Sequence, residues 1–273
     1  MHPKIPSTSE RPASPDERSV PGTTQVVVAI PARYASTRLP GKPLLPIAGR
    51  PMIEHVHRRA ATVPGVDRVV VLTDDERIAS AVRGFGGEVE MTPEDCASGT
   101  DRIAWAARQW AEDAAVINVQ GDEPLIEPAV IRNLADHLRQ HPDDAIVTCA
   151  AAAEEREFGD PNAVKVVVSA RGYALYFSRA AIPYPRTGGI AGAAPRKHIG
   201  IYGYQRAALL RLAALEPTPL ERTEGLEQLR ALENGIPIRV LTAERPSPGV
   251  DTAEDLARVE ALLNAAEHVH REE

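Results

Sequence analysis

Between Gln25 and Ile53 the chain carries Arg33, Arg38, Lys42 and Arg50 and no acidic residue, although its 31 Lys and Arg are outnumbered by 38 Asp and Glu, for a formal net charge of −7. Three of these cations stand in the segment PARYASTRLPGKP, residues 31–43, directly after the β-branched run Val26 to Ile30. That run reads as a buried strand, and ligands of parallel sheets bind at the carboxyl ends of strands. Small residues let a backbone approach an anion, and Arg and Lys then supply charge-assisted hydrogen bonds. A solvated basic loop would also be rich in cations. Four unopposed cations beside Gly41, Pro31, Pro40 and Pro43, with the hydroxyls of Ser36 and Thr37, favour a phosphate site. Neither G-x-x-x-x-G-K nor G-x-G-x-x-G occurs there, so this is not a Walker A loop or a dinucleotide fingerprint.

Two carboxylates could partner such a site. In VQGDEP, residues 119–124, Asp122 follows a glycine at the end of another predicted strand, a placement suited to Mg²⁺ beside phosphates; a turn satisfying its own amides would look the same. In GVDTAE, residues 249–254, Asp251 with Glu254 three residues on is a capping pattern for the last helix, and taken alone that reading is preferred.

The elements that must position these groups alternate from Gln25 onward. Buried strands are expected at Val26–Ile30, Val69–Leu72, Val116–Val119 and Ala145–Thr148. Helices fall between them, with Met52, Val56, Ala60 and Val63, then Ile103, Ala106 and Ala107, then Val130, Leu134 and Leu138 at helical spacing. Such units predict an α/β fold with a mostly parallel sheet covered on both faces. After Ala150 the rhythm changes to a hairpin (Val164–Val168 with Tyr173–Phe177), a strand at His198–Tyr204, helices near Ala207–Leu215 and Leu220–Glu233, a strand at Ile238–Leu241, and a last helix carrying Leu256, Val259, Leu262 and Leu263. One domain is expected over 25–266, its smaller mixed part at about 151–235. Residues 1–24 read as a disordered leader with five prolines and no apolar h-region, 187–195 as a mobile Gly/Ala-rich loop and 267–273 as a flexible tail. The acidic balance argues against nucleic acid or anionic lipid as a partner, and no run of about 18 apolar residues suggests a membrane span. Only Cys96 and Cys149 are present, which suits a reducing, cytoplasmic setting.

The motifs also stand in a telling order: PARYASTRLPGKP, SGTDR (98–102), QGDEP (120–124), NAVKVV (162–167), LYFSR (175–179), HIGIYGY (198–204), LEQLR (226–230) and GVDT (249–252). The set closely resembles the 3-deoxy-manno-octulosonate cytidylyltransferases, the CMP-Kdo synthetases of lipopolysaccharide synthesis, over residues 25 to 265. The resemblance implies a Rossmann-like nucleotidyltransferase fold, transfer of CMP from CTP to the sugar acid Kdo with release of pyrophosphate, a Mg²⁺ cofactor and a homodimer. It assigns Arg33, Ser36, Arg38 and Lys42 to the triphosphate, and Ala32, Ser98, Gly99 and Arg102 to the cytidine pocket. Asp122 and Asp251 become Mg²⁺ ligands, and Gln120 lies close to both substrates. Arg179, His198, Tyr202, Glu227 and Gln228 face the sugar acid, and Arg38, Lys42, Asp122 and Asp251 form the catalytic set.

Residue chemistry fits those roles. Arg179 is a planar fork suited to a carboxylate. His198, Gly200, Tyr202 and Tyr204 alternate onto one strand face, with Gly200 leaving room, as a plain solvated face also would. Glu224 and Glu227, three apart, are expected to share a helix face. Tyr184-Pro185 stands where the family pattern has Trp-Asp, so the sugar-side lid differs. Alternatives at this point are a cytidylyltransferase for 8-amino-Kdo or sialic acid, and a non-catalytic nucleotide-binding regulator on the same fold. The RLPGKP run, residues 38–43, counts against the sialate enzymes, which usually have Lys-Asn there.

Overall fold

Val26, Val28, Ile30 and Ala32 enter one apolar cluster, and Val27 and Ala29 enter another on the opposite side. A strand buried on both faces in this way requires helices above and below its sheet. In the computed structural model this strand, β1 (Val26–Ala32), lies parallel to β4 (Arg68–Thr73) and β6 (Ala115–Asn118). The structure describes residues 24–35, 39–187, 194–244 and 248–269. Most of the leader (1–23), Ser36 and Arg38, the loop residues 188–193 and the tail residues 270–273 lie outside the described residues.

The sheet runs β11-β7-β10-β6-β1-β4-β5, with β5 at Glu88–Met91, β7 at Ile146–Ala152, β10 at Arg196–Gln205 and β11 at Ile238–Thr242. Along this order β10 opposes its neighbours, pairing antiparallel with both β6 and β7. The expected hairpin is present as β8 (Lys165–Val168) and β9 (Ala174–Ser178), antiparallel, with β8 also paired to β10. Two short strands, β2 (Pro46–Ile47) and β3 (Arg50–Pro51), form a separate ribbon. One sheet face is covered by helices α1 (Met52–Ala61), α2 (Glu76–Gly84) and α4 (Pro128–Gln140), through Val56, Ile78 and Leu134 among others. The other face is covered by α3 (Gly99–Ala107) and the helix Arg206–Ala213, through Ile103 and Leu209. This is the mixed α/β architecture with a mostly parallel sheet that the hydrophobic pattern predicts.

Three expectations need correction. The helix expected over Leu220–Glu233 is two, Pro219–Glu224 and Gln228–Glu233, because Gly225 takes a left-handed conformation at φ 63° and ends the first. Glu224 and Glu227 therefore do not share a helix face. In the last helix, Ala253–Val269, Val259 is buried but Leu262 is exposed. The α2–β5 unit has no counterpart in the sequence reading. Its strand is an edge in which Glu88 and Glu90 pair with Arg68 of β4, so it lacks an apolar signature.

A third, small cluster matters for function. Val250 and Val259 pack against Ile47 and Met52, and Ala48 N–H donates to Glu260 Oε1 at 3.1 Å. These contacts carry the C-terminal segment back to the ribbon that follows the basic loop.

Candidate active site

The basic loop closes on itself before it delivers Lys42. Gly41 N–H donates to the Tyr34 carbonyl at 3.0 Å, and Gly41 holds φ 69°, with a Cβ there only 3.0 Å from the Tyr34 ring. Glycine meets both demands. The following 3₁₀ turn, Lys42–Leu44, buries Pro43 and directs Lys42 inward.

Asp122 arrives from the other side. The loop after β6 lies on the end of β1 because Gly121 has no side chain: a Cβ there would sit 3.0 Å from the Pro31 carbonyl oxygen. Val250 N–H donates to the Asp122 carbonyl at 2.9 Å, which fixes the C-terminal segment alongside. As a result the Lys42 ammonium, only 14% exposed, donates to Asp122 Oδ2 at 2.6 Å, to the Val250 carbonyl at 2.6 Å and to Asp251 Oδ1 at 3.1 Å. Burial alone would lower the Lys42 pKa; the Asp122 and Asp251 carboxylates outweigh it and hold the ammonium above its ordinary range. Residues 80 and 209 positions away in sequence thus converge on one cation.

The capping reading of Asp251 fails by one residue. Thr252 and Asp255 form the reciprocal cap: Thr252 Oγ1 accepts from Asp255 N at 3.2 Å, and Asp255 Oδ2 accepts from Thr252 N at 3.0 Å. Asp251, its side chain 65% exposed, is left to face Lys42.

Pro31, Ala32, Arg33, Lys42, Gln120 and Asp122 line one open cleft at the carboxyl edge of the sheet. Arg33 reaches across it to the Cys96 carbonyl. Ser98 caps α3, its Oγ accepting from Asp101 N at 3.1 Å, so its hydroxyl is committed to the helix N-terminus. Gly99 is held close to β1, a Cβ there meeting Pro31 Cγ at 3.2 Å. Arg102 is committed within the fold. Its side chain is 0% exposed, with Nη2 donating to Asp74 Oδ2 at 2.7 Å and Nη1 to Thr92. It ties together the turns after β4 and β5 that flank the cleft.

The residues assigned to the sugar acid form a second group. Rings of Phe177, His198, Tyr202 and Tyr204 follow one another at centroid distances of 5.0, 5.4 and 5.9 Å, so they keep one face despite a bulge in β10. Tyr202, Tyr204, Glu227 and Gln228 line a small cavity, and the Tyr202 hydroxyl is buried with no hydrogen-bond partner among the described residues. Thr100 donates to Glu227, linking this group to the start of α3. Gly200 has open space beside it. Arg179 stands apart from that cavity, its guanidinium donating to the Glu224 carbonyl at 2.7 Å and the Pro161 carbonyl at 3.0 Å. Glu224 in turn accepts from Ser178 Oγ at 2.6 Å and Arg179 N at 3.0 Å, a positioning role rather than a ligand face.

The two groups meet through a residue the sequence reading passed over. Asn118, buried at the end of β6, stands opposite Tyr202 in the sheet and accepts from Gln120 Nε2 at 3.2 Å. Thr148 and Lys165 were missed likewise. Their shared signal is a polar side chain inside an aliphatic strand, where burial demands a partner.

Oxygen donors alone surround the Lys42 ammonium, two carboxylates and one carbonyl, which is the donor chemistry Mg²⁺ selects. Among the described residues no group of three or more His, Cys, Asp or Glu could hold a metal unaided. Two carboxylates beside a cleft lined by Arg33 and Lys42 fit the way Mg²⁺ is held where substrate phosphates complete its shell. Likewise, no helix among the described residues is long and apolar enough to cross a membrane.

Comparison with known proteins supplies the frame for this geometry. The cytidylyltransferase family model matches residues 27–240. A 3-deoxy-manno-octulosonate cytidylyltransferase of Marinobacter nauticus is 54% identical over 251 residues, covering 86% of this chain and 96% of that protein. Another, of Syntrophotalea carbinolica, is 50% identical over 246 residues, covering 87% and 98%. The solved structure of a CMP:2-keto-3-deoxy-manno-octonic acid synthetase complexed with CTP superposes with a TM-score of 0.85 at 45% identity, covering 89% of this chain and all of that one. Sequence and fold agree, and the chain belongs to the 3-deoxy-manno-octulosonate cytidylyltransferase family.

Proposed function

We propose that this protein transfers CMP from CTP to the anomeric hydroxyl of 3-deoxy-D-manno-octulosonate, giving CMP-Kdo and pyrophosphate, and so activates Kdo for lipopolysaccharide synthesis. The observation that carries the reading is the convergence of Lys42, Asp122 and Asp251 beside a cleft rimmed by Arg33 and Gln120. In the reaction the sugar oxygen bonds to the α-phosphorus, the bond from that phosphorus to the bridging oxygen breaks, pyrophosphate leaves, and the hydroxyl proton is released. Such a transfer depends chiefly on positioning and charge. Arg33 and Lys42, with Ser36 and Arg38, hold the triphosphate; Ala32 and the Ser98–Gly99 turn receive the cytidine. Gln120, held by Asn118, lies between the nucleotide and the sugar acid faced by His198, Tyr202, Glu227 and Gln228, and Arg179 would have to turn from the Glu224 and Pro161 carbonyls to join them.

Asp122 and Asp251 would hold Mg²⁺, which when bound supplies positive charge against the triphosphate and acidifies the attacking hydroxyl. The Lys42 ammonium must then turn from the carboxylates towards the phosphates, a move that the flexible Lys stem permits. The reading includes a homodimer. It also includes a cytoplasmic setting, supported by the unpaired thiols of Cys96 and Cys149.

The test is pyrophosphate release from CTP and Mg²⁺ with Kdo, 8-amino-Kdo and N-acetylneuraminate in turn, the nucleotide product weighed by mass spectrometry. Release with Kdo supports the proposal. Release with another acid alone reassigns the sugar, and CTP binding without release from any acid makes the protein a nucleotide-binding regulator.

A further inference from the structure

The bulge in β10 places two extra residues, Gly200 and Ile201, between the pairs Ile199–Cys149 and Tyr202–Thr148. Bulges of this kind leave backbone groups unpaired and recur beside active sites. Here the buried Thr148 hydroxyl answers the bulge: Oγ1 lies 2.7 Å from the Ile201 carbonyl, 3.3 Å from the Ile199 carbonyl and 3.0 Å from His198 Nε2. A threonine hydroxyl has one proton. Two oxygens 2.7 Å apart need a proton between them, so it points at Ile201. Oγ1 can then only accept from His198, and the proton of the ring must sit on Nε2.

His198 packs against Phe177 and Tyr202, and burial pushes its pKa down to about 3, so the ring is neutral and carries one proton only. Nδ1 makes no hydrogen bond to any described residue. It is therefore a bare acceptor beside Tyr202, whose hydroxyl is also without a partner among the described residues.

We propose that Thr148 is a positioning residue for the sugar acid: it fixes His198 as the Nε2–H tautomer and leaves Nδ1 to accept a hydrogen bond from a hydroxyl of the substrate. The ligand half rests on the transfer reaction proposed above; the tautomer half does not. The arrangement selects by polarity. A bare nitrogen welcomes O–H and repels a carboxylate, so the sugar carboxylate must be placed away from His198, and the group facing it must be a donor. The hydrogen bond made by one ring nitrogen sets which nitrogen is protonated and so fixes a histidine's role.

The test combines a spectrum with kinetics. In the full-length enzyme labelled with ¹⁵N-histidine, with His198 assigned through H198Q, the nitrogen shifts at neutral pH should report a neutral Nε2–H ring. A neutral Nδ1–H ring or an imidazolium overturns the proposal. T148V, which keeps the shape and removes the hydroxyl, should lose the tautomer preference and raise KM for Kdo about tenfold, the usual effect of one lost hydrogen bond, with KM for CTP within about twofold. T148S should restore the Nε2–H ring and most of the Kdo affinity. Equal rises in both KM values, or T148S as impaired as T148V, would make Thr148 merely structural and overturn its positioning role. If the unmodified enzyme transfers nothing to Kdo, the reaction reading and the ligand half fail together, while the nitrogen spectrum still decides the tautomer.

Discussion

Arg102 separates a structural from a ligand-binding role with one substitution. Its guanidinium is 0% exposed and donates to Asp74, Thr92 and the Pro93 carbonyl, while its Nε has no partner among the described residues. Arg102→Met keeps most of the volume and strands the Asp74 carboxylate, itself only 16% exposed, without its counter-charge. Breaking a buried pair from one side costs about 3–5 kcal/mol. Relief of the unsatisfied Nε and the partial exposure of Asp74 place the expected loss near the lower end, about 3 kcal/mol. For a domain of this size that lowers Tm by about 6–12 °C. Asp74→Asn in the same chain should recover part of the loss, because no unpaired charge then remains. Urea denaturation monitored by tryptophan fluorescence gives the stability, and calorimetric titration with CTP gives the affinity. A variant within about 1 kcal/mol of the parent that binds CTP more than about tenfold more weakly would refute the structural role and return Arg102 to the cytidine pocket.

Asp251→Asn should cut turnover by about two orders of magnitude or more while leaving the urea midpoint nearly unmoved. Thr252→Ala should do the reverse, costing about 1 kcal/mol of stability as a lost helix cap with turnover retained. In Gly121→Ala the new methyl would stand 3.0 Å from the Pro31 carbonyl oxygen, so the Asp122 loop must shift; a fall in kcat with a stability loss of about 1–3 kcal/mol is expected, read from steady-state kinetics and thermal melts. Burial would raise the Asp144 pKa, but the Tyr173 hydroxyl at 2.6 Å, His137 and Arg239 hold it below its ordinary 3.8. That contribution is full above the ordinary carboxylate range and is lost as pH falls through the depressed folded value. Tyr173→Phe should therefore be less stable by about 1 kcal/mol at pH 7, with the gap to the parent closing below about pH 4 in urea titrations.

What could be read from the chain alone follows from where each signal resides. β1 announces itself because its burial is written in its own residues, Val26 to Ile30, and α4 because Val130, Leu134 and Leu138 repeat on one face. Lys42 and Asp122 are legible because each follows a strand of that kind, where a parallel sheet opens to ligands. Other features depend on partners distant in sequence. The edge strand Glu88–Met91 is held by Arg68, and nothing in Glu-Val-Glu-Met distinguishes it from a loop. Arg102 looks like any basic residue at the start of a helix until Asp74 and Thr92 are placed around it. Asp251 offers the cap signature as plainly as Thr252 does, and only the backbone position of Asp255 chooses between them. Thr148 becomes informative once the bulge sets the Ile201 carbonyl against it.

The charge pattern shows why tertiary structure completes this site rather than merely displaying it. A loop with four cations and no acid would repel itself if it stood alone in the fold, and carboxylates gathered for a metal would do the same. The fold sets one against the other, as Lys42 holds Asp122 at 2.6 Å and Asp251 at 3.1 Å. The small apolar cluster of Ile47, Met52, Val250 and Val259 supplies the anchoring that keeps Asp251 within reach. An exposed ion pair is worth about 0–1 kcal/mol, so the Lys42–Asp251 contact is too weak to hold the C-terminal segment by itself. The apolar packing must do that, and the ion pair is then cheap to open. On the metal-assisted transfer proposed above, the Asp251 contact would be the easier of the two to open when Lys42 turns towards the phosphates, the Asp122 contact at 2.6 Å being the less exposed. Stiffening the contact, not only deleting it, should therefore slow the enzyme.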